Sequence, residues 1–274
     1  MGKQHYERSK KMKKMMTVIV AMGIGLALSH PVMGEEISIV GSGDGVIVLE
    51  AIANAFHQKT PGVTVVVPES IGSGGGIKSV GQDKNVIGRV ARGIKDKEKH
   101  YGLKYVPFAK VPTVFFVNKS VGITGLTTGQ VCDIYSGKVK NWKEVGGHDA
   151  KIRVVRREEG DSSFGELLTS FPGFRDISIT SGSKTAFSTP ENIAVVEDRA
   201  DTIGFGPYDV AKNAKVDILT INGKKATDAG YPSFGTLAFI FKEKNNTGNI
   251  KKFVEFATSA EAHDLIKGAG GMPI

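Results

Sequence analysis

From residue 35 onward, short apolar runs alternate with glycine turns and with stretches of helical spacing. Residues 37–40 read as a buried strand, and Gly41-Ser-Gly-Asp-Gly45 as a tight turn. The stretch 46–57 then places Leu49, Ile52, Ala53 and Phe56 on one helical face. After Pro61-Gly62, residues 63–67 are all β-branched and predict a second strand. A second glycine turn, 72–76, precedes a short helix from Ile77, and a third strand begins at Val86-Ile87. This rhythm predicts a parallel α/β sheet with crossover helices.

The same grammar continues. Residues 111–117 predict a strand, and 126–135 a helix with Thr127 or Thr128 as its cap. A strand at 152–155 runs into a polar turn ending at Ser163, and a helix follows over 164–170. Ser163 with Glu166 fits a capping box there. Strands are predicted at 202–205 and 237–241, and one or two amphipathic helices over 250–267. The strands at 111–117 and 237–241 are placed to carry the chain out of one lobe and back into it.

The beginning of the chain changes the reading of its charge. A basic stretch from Arg8 to Lys14 precedes an apolar run over 15–28, broken by His30 and Pro31. This is the layout of a secretory signal over 1–34, cleaved before Glu35. A membrane anchor is the rival reading, but the run falls short of the ~20 residues that span a bilayer. Residues 1–34 hold six of the 36 basic residues and one of the 28 acidic ones, so the remainder stands near +3 rather than +8. That balance gives little support to nucleic-acid binding. The single cysteine, Cys132, excludes an intramolecular disulfide and reads as a small buried hydrophobe on a helix.

The chemistry lies in three turns, at 41–45, 72–76 and 160–163, each following a strand and opening a helix. A helix N-terminus offers unpaired N–H groups and partial positive charge, and so suits an anion. Three such ends meeting would surround a tetrahedral oxyanion. Arg157, just before the third turn, is placed to give a bidentate contact, and Arg92 could reach the same place. Each turn alone is equally a packing device. A dinucleotide-binding reading of Gly41-Ser-Gly43 fails where its third glycine should fall, at Val46. The six histidines show no metal-ligand spacing, and Ser162 and Ser163 lack a nucleophile elbow. Trp142 reads as a packed turn residue.

These segments resemble the phosphate-binding protein family of bacterial phosphate importers, within the type II periplasmic-binding superfamily. The resemblance runs from Ile37 to the C-terminus. It is carried by Gly41-Ser-Gly-Asp-Gly45, by Ile71-Gly-Ser-Gly-Gly-Gly-Ile-Lys78, by Asp133-Ile-Tyr-Ser-Gly-Lys138 with Asn141-Trp142, and by Val154-Val-Arg-Arg157 leading to Gly160. It implies a two-lobed α/β fold with two crossings between lobes, lobe 1 being 35–117 plus 236–274 and lobe 2 being 119–232. It also implies an anion held between the lobes by Gly45, Val46, Ser73, Gly74, Arg157, Gly160, Ser162 and Ser163, with Asp44, Arg92 and Asp161 beside them. Three positions depart from the family. Ala91 stands where the family has an aspartate, Asp44 near a hydroxyl, and Asp161 where a serine opens the third turn.

The expectation is therefore an exported, monomeric binding protein that is not an enzyme and has no cofactor. It would capture an inorganic oxyanion, phosphate foremost, and present it to an ABC permease at the inner membrane. Asp44 and Asp161 keep a second reading open, a secreted interaction or signalling module on the same fold without the anion site.

Overall fold

The computed structural model describes residues 34–274. The expected signal segment up to residue 33 lies outside the described residues.

The first unit is strand β1 (Glu35–Gly41), helix α1 (Val46–Lys59), strand β2 (Val63–Val66), helix α2 (Gly72–Gly81) and strand β3 (Ile87–Val90). Both β2 and β3 pair with β1 in parallel. Gly45 opens α1 with φ 78°, and any Cβ there would lie 2.4 Å from Leu237, so the turn needs glycine twice over. The second glycine run is not a turn ahead of a helix, as expected, but the first turns of α2 itself. A Cβ on Gly76 would stand 2.9 Å from the Gly41 Cα, so these glycines let the helix lie directly on β1.

Strand β4 runs from Lys104 to Asn118, twice the length the apolar pattern predicted. Pro107 and Pro112 obscured it. Pro107 sits where the ladder with the late strand β8 (Phe234–Phe241) is irregular, a position that tolerates a missing N–H. Between β4 and β8 the chain forms α3 (Thr128–Ser136), β5 (Arg153–Arg157), α4 (Ser162–Ser170), β6 (Lys184–Ala186), α5 (Thr189–Asp198), β7 (Thr202–Pro207) and α6 (Tyr208–Ala211). Helices α7 (Gly248–Ala257) and α8 (His263–Ala269) follow β8. The main sheet order is β2-β1-β3-β8-β4-β7-β5-β6. Its two wings are parallel and its centre antiparallel, so the sheet is mixed rather than parallel throughout.

Two large cores flank that centre. One gathers residues from Ile37 to Val111 and from Leu237 to Ala269. The other gathers residues from Val114 to Tyr231. Along β4 the change falls between Val111 and Val114, so Val114–Val117 pack in the second core rather than in the first, where the expected boundary at 117 put them. Trp142 is fully buried and its indole N–H donates to the Asp201 carbonyl at 3.1 Å, a packed turn residue as read. Cys132 is buried on α3.

Candidate functional site

Three polar turns meet where the two cores face each other. A cavity of about 250 Å³ lies there. Its first-core wall is Ser42, Gly43, Ser70, Ile71 and Gly72. Its second-core wall is Arg157, Glu158, Gly160, Asp161 and Ser162, closed by Phe187 and Thr189. Of the eleven residues expected at the site, Arg157, Gly160, Asp161 and Ser162 line this cavity. The other seven do not.

Three of those seven form a buried layer of direct contacts between the turns. Ser163 Oγ donates to Asp44 Oδ2 at 2.7 Å, and Thr189 Oγ1 approaches Asp44 Oδ1 at 3.4 Å. Ser73 Oγ and Ser162 Oγ share a hydrogen bond of 2.7 Å. Ser73 also accepts from the Ala91 N–H at 3.1 Å. These hydroxyls are engaged with protein groups from the facing turns. Burial pushes the Asp44 carboxyl up, against the lowering effects of the Ser163 bond and the Arg157 charge.

The first helix N-terminus is not open. Asp209 of α6, fully buried, accepts from the Ile47 N–H at 3.2 Å and is also bound by the Gly45 N–H. The Gly45 and Ile47 N–H groups, on either side of Val46, therefore meet a protein carboxylate at that helix end, where an anion was expected. Burial and the nearby Asp44 charge push Asp209 up to about 7. Nothing in the local sequence around Tyr208-Asp209 announced this partner, 162 positions from Ile47.

The two expected arginines part company. Arg92 turns to Glu98 in a bidentate pair, both bonds 2.8 Å, and adds a bond to the Gly93 carbonyl. It does not line the cavity, and Gly74 packs beside its guanidinium. Arg157 does line it. Its Nη1 donates to Thr189 Oγ1 at 2.9 Å, its Nε to the Ala186 carbonyl at 3.1 Å, and its Nη2 lies 3.0 Å from Asp161 Oδ2. Glu158 adds a further ion pair at 3.1 Å. The charge of Asp161 is thus met by Arg157, not by Arg92.

Asp161 is the N-cap of α4, its Oδ1 accepting from the Phe164 N–H at 2.9 Å. The expected capping box of Ser163 and Glu166 is displaced, because the helix starts two residues earlier and Ser163 is turned to Asp44. Burial, then the Asp44 charge, push the Asp161 carboxyl up to about 7, with Arg157 working against them. Glu166 rises to about 7 for the same two reasons, burial first.

Arg89 was missed by the sequence reading. It is buried in β3 and donates to the carbonyls of Ser42 at 2.7 Å, of Pro68 at 2.7 Å and of Ile39. It ties the first turn to the loop before α2. A charged residue in the fully buried run Ile87-Gly-Arg-Val90 was the available signal. Phe187 and Thr189 were missed because the turn from β6 to α5 carries no glycine signature.

A mixed sheet carrying two cores, with strand-to-helix turns from both facing one cavity, is the type II periplasmic-binding-protein architecture of solute-binding proteins. The chain belongs to the PBP superfamily: that family's domain profile matches residues 28–261. It is 24% identical to the phosphate-binding protein PstS of Borreliella burgdorferi over 96% of this chain and 99% of the relative. It is 26% identical to the PstS of Bacillus subtilis over 90% of this chain and 85% of the relative. Among solved structures, an ABC transporter substrate-binding protein from Clostridium perfringens with bound phosphate superposes at TM-score 0.77. That pair is 29% identical, over 88% of this chain and all of the other.

Proposed function

We propose that this chain captures phosphate in the cavity between its two cores and delivers it to an ABC importer, without chemical turnover. The observation that carries the reading is the meeting of two helix ends, at Gly72 and at Ser162, one from each wall of the cavity that Arg157 also lines. Backbone N–H groups at such ends, with a guanidinium, are what a small tetrahedral anion requires. Relatives named for phosphate binding across nearly the whole chain support the same reading.

The lobes move as two bodies about Pro112–Thr113 of β4 and the start of β8, where core membership changes and where the Thr113 N–H binds the Ser233 carbonyl at 3.1 Å. The chain acts as a monomer outside the inner membrane, and closing presents both lobes to a permease. No helix among the described residues is long and apolar enough to cross a membrane. Isothermal calorimetry of the chain from residue 35 tests the reading. Phosphate is expected to release or absorb heat at a one-to-one ratio. No heat with phosphate, arsenate or sulfate would favour an interaction module on this fold.

A further inference from the structure

Four large hydrophobic side chains stand exposed among the described residues, and two of them line this one cavity. Phe187 is 72% exposed and Ile71 52% exposed. Single exposed hydrophobics need no explanation. A pair drawn from opposite walls of the same polar cavity does. Ile71 precedes α2 on the first-core side, and Phe187 follows β6 on the second-core side. A bare oxyanion gives neither of them anything to cover.

The cavity is also larger than a bare oxyanion. Its volume is about 250 Å³. The inner hydroxyls do not extend it, since Ser73 binds Ser162 and Ser163 binds Asp44. A head group held by Arg157, Thr189 and the Gly72 end of α2 therefore shares one cavity with the two apolar side chains.

Resting on the phosphate reading above, we infer that the cleft takes a monosubstituted phosphoryl or phosphonyl anion, with its apolar substituent between Ile71 and Phe187. The anionic oxygens face Arg157 and the helix ends, and the carbon-bearing group points to the mouth. Covering on the order of 50 Å² of apolar surface at about 25 cal/mol per Å² is worth about tenfold in affinity.

Calorimetry with inorganic phosphate, methylphosphonate and phenylphosphonate tests this, on the natural chain and on Phe187→Ala and Ile71→Ala. Both side chains are exposed, so the variants are expected to fold. Phenylphosphonate is expected to bind about tenfold tighter than methylphosphonate, and that ratio to fall to about threefold or less in Phe187→Ala. Phenylphosphonate binding no tighter than methylphosphonate would overturn the inference, as would a ratio that survives both substitutions. An equal loss for all three ligands in the variants would mark an apolar clasp between the lobes, and would overturn it too. Binding of inorganic phosphate with none of phenylphosphonate would sink the inference and leave the phosphate reading standing. No binding of any of the three would overturn both.

Discussion

Arg92 and Arg157, two of the three buried arginines near the cleft, have surroundings that make opposite use of the same group. Arg92 is matched to one carboxylate, Glu98, through two bonds of 2.8 Å in a fork-to-fork geometry. Arg157 is divided among Thr189, the Ala186 carbonyl, Glu158 and Asp161, with contacts of 2.9–3.3 Å. The charge of Arg92 is matched by that one carboxylate, its Nε meets no partner among the described residues, and the group lies outside the cavity lining. A guanidinium shared among several partners, one of them a carboxyl pushed up to about 7, can exchange a partner for an anion. Arg92 thus reads as a structural clip, and Arg157 as the arginine that the proposed phosphate reading calls for. The difference comes from the partners, not from the residue type.

The largest effect that sharpens this contrast is on stability. Arg92→Ala leaves Glu98 buried beside Gly74 with its main cation gone, and should cost about 3 kcal/mol. Denaturant unfolding measures it. A loss below about 1 kcal/mol would show that the pair is not the clip described. Arg157→Ala should act the other way round, costing about 1.5–3 kcal/mol of phosphate binding. Titration calorimetry reads that loss. Equal binding losses in the Arg92 and Arg157 variants would erase the distinction between the two corners.

A smaller effect concerns Asp161. Folded, it keeps its proton up to about pH 7, whereas an unfolded aspartic acid loses it near 4. Between those values the folded chain binds more protons than the unfolded one, so stability falls as pH rises through that window. Glu166 and Asp209, both also pushed up to about 7, act in the same direction. The melting temperature should therefore be several degrees higher at pH 5 than at pH 8. Asp161→Ser should flatten that slope in part. It should also raise phosphate affinity at pH 8 about tenfold, since an ionised carboxylate no longer competes for Arg157, and change it little at pH 5. Equal affinities in the two proteins at pH 8 would mean that Asp161 is only the cap of α4.

The smallest effect is expected at Arg156. It is half-buried on the other side of β5, its guanidinium over the Phe164 ring at 5.5 Å. Arg156→Ala should cost about 0.5–1 kcal/mol of stability and leave phosphate binding within twofold. A binding loss as large as that of Arg157→Ala would point to general charge rather than geometry.

Read alone, the sequence determined the local grammar: where β-branched runs make strands, which face of α1 is apolar, and that the glycine turn at 41–45 joins strand to helix. Local rules placed Arg157 and the turn at 160–163 in one strand–turn–helix unit, while Asp161 and Ser162 were singled out within it by the family resemblance. The capping box at Ser163 failed for a tertiary reason, since Asp44 draws that hydroxyl away from its own helix. The tertiary structure alone decided that α1 is capped by Asp209 and that Arg92 turns to Glu98. It alone placed Phe187 and Thr189 at the cleft and set Arg89 beneath the first turn. Strand spacing fixes which way a side chain points. What it meets there is set by partners as near as six positions, as for Arg92 and Glu98, and as far as 162, as for Ile47 and Asp209, and no periodicity encodes them.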